Sequence, residues 1–523
     1  MPPSSRMDRL YRSGQQGLVR GGLKGLEKES LRLTAGGLIA QTPHPSALGS
    51  ALTHPWITTD YSEALIELIT PPYKKWEEAL DFMGEIHTFV HHHLEDELLL
   101  ATSMPIGLDG DDSIPIARYG HSNIGQMKHI YRRGLAYRYG RTMQSIAGVH
   151  FNYSVNENLW PILHELDEHR GELADFIAEA YFGVIRNVHR YGWLLIYLFG
   201  NSPAICKSFF RGRESLASRF AELDSDTLYR PNATSLRMSD IGYRNDNQTT
   251  LDISVNSLSE YIASLDAATN QPCQAYEAIG IKVDGEYRQL NANILQIENE
   301  YYSPIRPKQI TYSGEKPTLA LKKRGVRYVE LRALDLLCTE PGGISMDEMR
   351  FLEVFVLFCL MNDSPLLDLE EKSECNRNSL NVACCARGKD FMLFRKGRNI
   401  TLRQWASEIL DQLLPLADIL DEEEAGQPYR NSIEKHRQAV ADPEQTLSAI
   451  ILREMRSNRE SFTDFALRLS QQHAEHWKHR AISEQRNREL IRQTDISWQK
   501  QAQIEASDKQ SLDQYLQQYW AQS

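Results

Sequence analysis

The chain has 523 residues, 41 % of them hydrophobic, with 58 Lys and Arg against 70 Asp and Glu for a net charge of −12. That length supports a sizeable core, in several domains or one elaborated one, and the negative balance argues against a general nucleic-acid or anionic-membrane surface, though not against a local basic patch. Seven cysteines with no C-x-x-C pair argue against a metal finger or a disulfide scaffold and fit free thiols in a reducing cytoplasm. The N-terminus lacks the apolar core of a signal peptide, and the longest apolar stretches, 191–200 and 354–361, are too short to cross a bilayer.

Residues 1–24 read as a lead-in that ends at Gly21-Gly22. A strand follows from Gly25, with a turn at Ala35-Gly36-Gly37, a loop rich in His and Pro, and a second strand ended by Pro71-Pro72. Leu80, Met83, Ile86, Val90 and Leu94 recur at helical spacing over 76–100. His87 and His91-His92-His93 on that helix raise zinc, but no H-E-x-x-H or third ligand accompanies them, so surface histidines are expected. A basic, aromatic segment, 127–146, leads into a strand at His150. Helices are expected over 162–179 and 184–199, then a loop-rich stretch over 202–256.

Strands return over 278–283, 289–297 and 326–334, and from Met346 the pattern is almost wholly helical. The polar, Gln-rich end beyond Gln471 is either an amphipathic helix packed on the body or a partly frayed tail. The adjacent Cys384 and Cys385 would strain a disulfide between them, so a buried thiol or a loop role is expected. The expected class is α+β, with a central, mostly antiparallel sheet surrounded by helices. The organisation expected is one large catalytic unit, with a sheet-bearing core over 1–340 and a helical part over 341–523 packed on it.

Four strand-like runs carry the chemistry. They are Glu27-Lys-Glu29 in the first, Glu67 in the second, His150-Phe-Asn152 in the third and Glu330-Leu-Arg332 in the fourth. Polar residues two apart share one face of a strand while their neighbours face a core. Any single run could be an ordinary solvated strand. Together, Glu27, Glu29, Asp60, Glu67, His150 and Glu330 offer the hard-ligand set that holds Mg²⁺ or Mn²⁺, as two or three ions, around phosphate. No G-x-x-x-x-G-K-[ST] or G-x-G-x-x-G occurs, so ATP phosphates would have to be held by metals and by basic side chains. Lys128 and Arg132 offer such charge, against the plainer alternative of a solvated helical face. Arg332 projects beside Glu330 and could grip a carboxylate or γ-phosphate. This much points to metal-assisted phosphoryl transfer or hydrolysis.

Longer blocks narrow the reading. Gly25-Leu-Glu-Lys-Glu-Ser-Leu-Arg, the run from His54-Pro-Trp to Glu67-Leu-Ile-Thr-Pro, Gln144-Ser-Ile-Ala-Gly-Val-His-Phe-Asn-Tyr-Ser, Ala233-Thr-Ser-Leu-Arg-Met-Ser-Asp-Ile-Gly-Tyr and Gln296-Ile-Glu-Asn-Glu-Tyr-Tyr-Ser-Pro-Ile-Arg-Pro resemble the proteobacterial class of glutamate–cysteine ligases. The resemblance covers most of the chain and implies a sheet similar to that of glutamine synthetase. It also implies ATP-dependent joining of the L-glutamate γ-carboxylate to the L-cysteine amine, the first step of glutathione synthesis.

Carried over by position, the six acidic and His residues above match the metal-binding strands, with His150 serving a metal or orienting phosphate. Arg332 matches a position facing glutamate or the γ-phosphate. Tyr131, Arg237, Tyr243 and Tyr302 match a cysteine pocket in which Arg237 pairs with the α-carboxylate. The resemblance leans towards a monomer and leaves room for feedback inhibition by glutathione. The alternatives are a ligase with another amine acceptor, a metal-dependent ATP phosphohydrolase and a non-catalytic homologue.

Overall fold

A computed structural model describes residues 5–242 and 251–522. Seven strands, β1 (Leu23–Leu33), β2 (Ile57–Thr59), β3 (Leu65–Ile69), β4 (Leu98–Leu99), β5 (Val149–Ser154), β6 (Ile305–Lys308) and β7 (Tyr328–Leu334), form one sheet. Their order is β6-β7-β5-β1-β3-β2, with β4 against the far end of β1, and every pairing is antiparallel. The helices that matter below are α1 (Trp76–His92), α2 (Asn123–Tyr139), α3 (Met346–Met361), α4 (Phe462–His479), α5 (Glu484–Ser507) and α6 (Leu512–Trp520). No helix among the described residues is long and apolar enough to cross a membrane.

β1 shows how one sequence serves two faces. Glu27 and Glu29 point to the cleft, while Lys24, Leu26 and Lys28 point to the other side, where α1 and α3 pack. A lysine is rarely buried without a partner. Lys24 finds one in Glu353 of α3, at 2.9 Å, and both side chains are buried. Glu353 also accepts hydrogen bonds from Trp76 Nε1 (2.7 Å) and the Tyr429 hydroxyl (2.8 Å). The buried charge is therefore matched on all sides, as a buried ion pair requires.

Among the described residues Lys28 has no carboxylate partner. Its Nζ lies 3.1 Å from His87 Nε2, and burial pushes its pKa down to about 7. Here the expected surface histidines are corrected: His87 and His91 are buried on the inner side of α1, with the His87 ring stacked on Trp477 of α4 at 5.0 Å. Only His92 of the run is exposed. An imidazole is apolar enough to line a helix's packing face, and sequence spacing treats it as polar.

Burial, followed by the Lys28 charge, pushes the pKa of both His91 and His473 down to about 3. The unfolded chain takes up protons below about pH 6.5 and the folded chain does not, so stability falls with pH through that window. Each of the two costs about 2 kcal/mol between pH 7 and pH 5. Urea unfolding at the two pH values checks this: His473→Gln is expected to remove about half of the two-histidine contribution to the loss, and an unchanged pH slope would refute it.

Two strand expectations also change. Residues 289–297 are irregular, because Gln289, Asn291 and Asn293 side chains bond backbone carbonyls of Tyr276, Gln296 and Thr269 and replace a ladder. Residues 278–283 contribute only the two-residue strand Lys282–Val283 of a small hairpin. A strand that was not expected, β6, forms although Pro304 precedes it and Pro307 lies within it. It is an edge strand, where a missing N–H is tolerated. The helical C-terminal part is interrupted by a hairpin, Met392–Arg395 with Arg398–Thr401.

Candidate active site

The sheet register assembles the acidic residues. Glu27 stands opposite His150, Glu29 opposite Glu67, and Glu330 opposite Asn152. His150 Nδ1 lies 3.0 Å from Glu27 and 3.5 Å from Glu330, and its Nε2 lies 3.6 Å from Glu29. One ligand atom each from Glu27, His150 and Glu330 falls within 4.8 Å of the others. Glu330 is buried and gripped by Arg332 at 2.9 Å and Lys308 at 3.1 Å. Glu29 accepts the Gly148 N–H at 2.7 Å, and Asn152 donates to Glu27 at 2.9 Å.

The electrostatics divide the set. Burial pushes Glu330 up, but Lys308, Arg332 and His150 more than offset it and hold the carboxyl well below its ordinary range. Glu67 has only the Arg332 charge in relief, and that is outweighed. Burial, and then the charges of Glu27, Asp60 and Glu29, push it well above the carboxylate range. Glu29 is raised too, chiefly by burial. A cluster of carboxylates short of positive charge is what a divalent cation neutralises. The Asn152 side-chain oxygen Oδ1, buried and without a donor among the described residues, adds one more neutral oxygen beside Glu27. Oxygen ligands with a single imidazole suit Mg²⁺ or Mn²⁺, so the residues present fit such ions.

Next to the cluster is a small cleft of about 110 Å³. Glu29, Asp60, Tyr131, Arg132, Tyr302, Arg306 and Arg332 line it. α2 brings Tyr131 and Arg132 there, and the Arg132 Nε donates to the Asp60 carbonyl at 2.5 Å. Lys128, one turn earlier, opens instead onto an adjoining cavity of about 840 Å³, which shares the Tyr131–Arg132 wall. Burial, then the Arg132 charge, pushes Lys128 down to about 8.

Of the expected site residues, Arg237 stands differently from its expected direct hold on a substrate carboxylate. It is buried, does not line the cleft, and donates from Nη2 to the backbone carbonyl of Arg332 at 2.9 Å. It packs under Gly148, where a Cβ would lie 2.3 Å from that nitrogen. In this conformation Arg237 supports the strand that carries Arg332. Tyr243 lies outside the described residues. Three residues were missed. Asn152 shares the face of His150 and could have been nominated, whereas Arg306 and Lys308 alternate correctly but were masked by the prolines between and before them.

Paired acids on neighbouring antiparallel strands, rimmed by arginines and a lysine, define an enzyme of the metal-assisted kind that activates a carboxylate or phosphate. Residues 7–382 match the family model described as glutamate–cysteine ligase. The glutamate–cysteine ligases of Alcanivorax borkumensis and Azotobacter vinelandii are 45 % and 48 % identical over 521 residues, covering 98 % or more of this chain and 98 % of each relative. The chain belongs to the glutamate–cysteine ligase family. The crystal structure of the Francisella tularensis glutamate–cysteine ligase in complex with AMP superposes with a TM-score of 0.90 at 35 % identity, covering 96 % of this chain and 98 % of that one. A bifunctional glutathione synthetase from Pasteurella multocida matches with a TM-score of 0.66 at 27 % identity, over 90 % of this chain and 53 % of its own.

Proposed function

We infer that this chain joins the γ-carboxylate of L-glutamate to the amine of L-cysteine at the expense of ATP, giving γ-glutamylcysteine, ADP and phosphate, the first step of glutathione synthesis. The near-full-length match to glutamate–cysteine ligases carries the inference. The site supplies chemistry to match.

A carboxylate is a poor acyl donor. One γ-carboxylate oxygen attacks the γ-phosphorus of ATP and ADP leaves, giving γ-glutamyl phosphate. The neutral cysteine amine then attacks the acyl carbon, and phosphate departs as the amine nitrogen loses its proton. Glu27, His150 and Glu330, with Glu29, Asp60 and Glu67 beside them, would hold two or three Mg²⁺ or Mn²⁺ ions, which when bound neutralise the phosphate oxygens. Arg332 faces the space between cluster and cleft and orients the carboxylate or the transferring phosphate. Tyr131 and Tyr302 enclose the amine substrate, and Arg132 with Lys128 adds positive charge on the α2 side. His150, hydrogen-bonded to Glu27, orients that carboxylate or binds an ion itself.

The same reading takes the chain as a cytoplasmic monomer, one catalytic unit with its sheet core over 1–340 and helices over 341–523. Glutathione, which resembles the product, would span both amino-acid pockets, so its inhibition should be relieved by glutamate. The deciding experiment is ADP release with Mg²⁺-ATP and glutamate, with and without cysteine, alongside mass detection of the product. Cysteine-dependent turnover giving γ-glutamylcysteine is expected. Hydrolysis indifferent to both amino acids would point to a phosphohydrolase, and equal turnover with 2-aminobutyrate would show that the thiol is not recognised.

A further inference from the structure

The C-terminal helices are no frayed tail. α2, which lends Tyr131 and Arg132 to the cleft, is held from behind by residues some 385 positions away in sequence. The Asp508 carboxylate accepts the backbone N–H of Asn123, the first residue of α2, at 2.6 Å. The carbonyl of Gln510 accepts from the Asn123 side chain at 3.1 Å, and Glu505 accepts the N–H of His121 at 2.8 Å. An anionic carboxylate at a helix N-terminus is favoured by the helix dipole as well as by the bond itself.

The chain just before α2 turns through Gly120 at φ +77°, where a Cβ would lie 2.3 Å from Glu505. Met127 and Ile130 of α2 then pack with Ile297, Leu516 and Tyr519 in a small apolar cluster separate from the main core. Lys316 ties the end of α6 by donating from its Nζ to the carbonyls of Trp520 and Gln522, each at 3.1 Å.

α2 is thus clamped between two layers. On the cleft side Arg132 holds the Asp60 carbonyl and Arg138 pairs with Glu300 at 2.9 Å, both side chains buried. On the outer side the clamp comes from α5, α6 and the link between them. A helix pinned at its N-terminus and along its outer face has one depth and one rotation, and these decide where Tyr131 and Arg132 stand.

We propose that residues 500–522 act as a positioning strap, in which Asp508 and Tyr519 fix α2 and thereby set the affinity for the amine substrate. This rests on the reading that Tyr131 lines the acceptor side of the cleft. Neither Asp508 nor Tyr519 lines that cleft, and Asp508 also stands clear of the adjoining cavity onto which Lys128 opens, whose wall Tyr519 joins. Both act on the acceptor as positioning residues, and their effect should fall there rather than on the chemistry of glutamate activation.

The test uses four variants of the full chain, Asp508→Asn, Asp508→Glu, Tyr519→Ala and Tyr131→Ala, with kcat, separate KM values for cysteine and glutamate, and the melting temperature of each. Asp508→Asn, which keeps the shape and loses the charge, is expected to raise the cysteine KM about fivefold and the glutamate KM less than about twofold. Asp508→Glu should recover part of the loss, and Tyr519→Ala should act in the same direction as Asp508→Asn. If Tyr131→Ala raises the cysteine KM while Asp508→Asn and Tyr519→Ala leave it unchanged, the strap is refuted and the pocket stands. Equal rises for both substrates in the strap variants, in step with a lower melting temperature, would mean general support of the fold and would also overturn the proposal. No change in Tyr131→Ala would fault the pocket assignment itself, and the strap's role would fall with it.

Discussion

Glu330→Gln is expected to lower turnover by about three orders of magnitude while leaving the protein folded. The substitution keeps size, shape and one acceptor oxygen, and removes the charge. In the native site that charge is the hub of the cluster: Arg332, Lys308 and His150 all lie within 3.5 Å of its two oxygens. It is also the acid held most firmly ionised, well below the ordinary range despite its burial. Taking it away leaves an excess of positive charge where a divalent cation has to sit, so the defect should appear as weaker Mn²⁺ binding as well as slower turnover. The two cations left behind are 20 % and 30 % exposed, so water screens them and the melting temperature should move only slightly. Turnover undiminished at saturating Mg²⁺ would remove Glu330 from the metal site.

The acidic half of the site was legible because it obeys one simple rule. Glu27 and Glu29 on β1, His150 on β5 and Glu330 with Arg332 on β7 sit two apart on strands, and antiparallel pairing brings equal faces together. The cationic half was less so. Lys308 and Arg306 follow the same rule, but Pro307 between them reads as a strand breaker unless the strand is known to lie at the sheet edge, which is a property of the whole sheet.

Side-chain depth was illegible for a similar reason. Lys28 lies between two site glutamates yet faces away from them, because successive strand residues alternate faces and its number is even where theirs are odd, and its burial depends on α1 and α4 arriving from elsewhere in the chain. Arg237 carries the right chemistry for a carboxylate, but one glycine, Gly148, opens a slot that takes its guanidinium behind the strand instead. The strap was half legible. A Gln-rich amphipathic end could be seen, while its target, the N-terminus of α2, is fixed only by contacts across some 385 residues.

Replacing Arg332 should be nearly as damaging as replacing Glu330, and in a way that tells the two apart. Burial alone would lower the pKa of its guanidinium, but Glu330, Glu29 and Glu27 raise it above its ordinary value, so it stays charged at any working pH. Its side chain reaches Glu330 at 2.9 Å and lines the cleft, and its carbonyl is anchored from behind by Arg237. The register with β5 shifts between Leu331 and Leu334, the stretch that holds Arg332. Lysine keeps the charge but loses the planar fork that holds two oxygens at once. Arg332→Lys is therefore expected to lower kcat about a hundredfold, and Arg332→Ala about a thousandfold. The glutamate KM should rise about tenfold, because an arginine that grips the donor also binds it in the ground state. The cysteine KM should move less. Mn²⁺ binding, impaired in Glu330→Gln, should hold in Arg332→Ala or tighten, since a competing cation has been removed. Because the two residues act on the same phosphate, the double variant should lose much less than the sum of the single losses in free energy. Full additivity would mean that they serve separate steps, and an unchanged glutamate KM in Arg332→Lys would move this arginine away from the donor substrate.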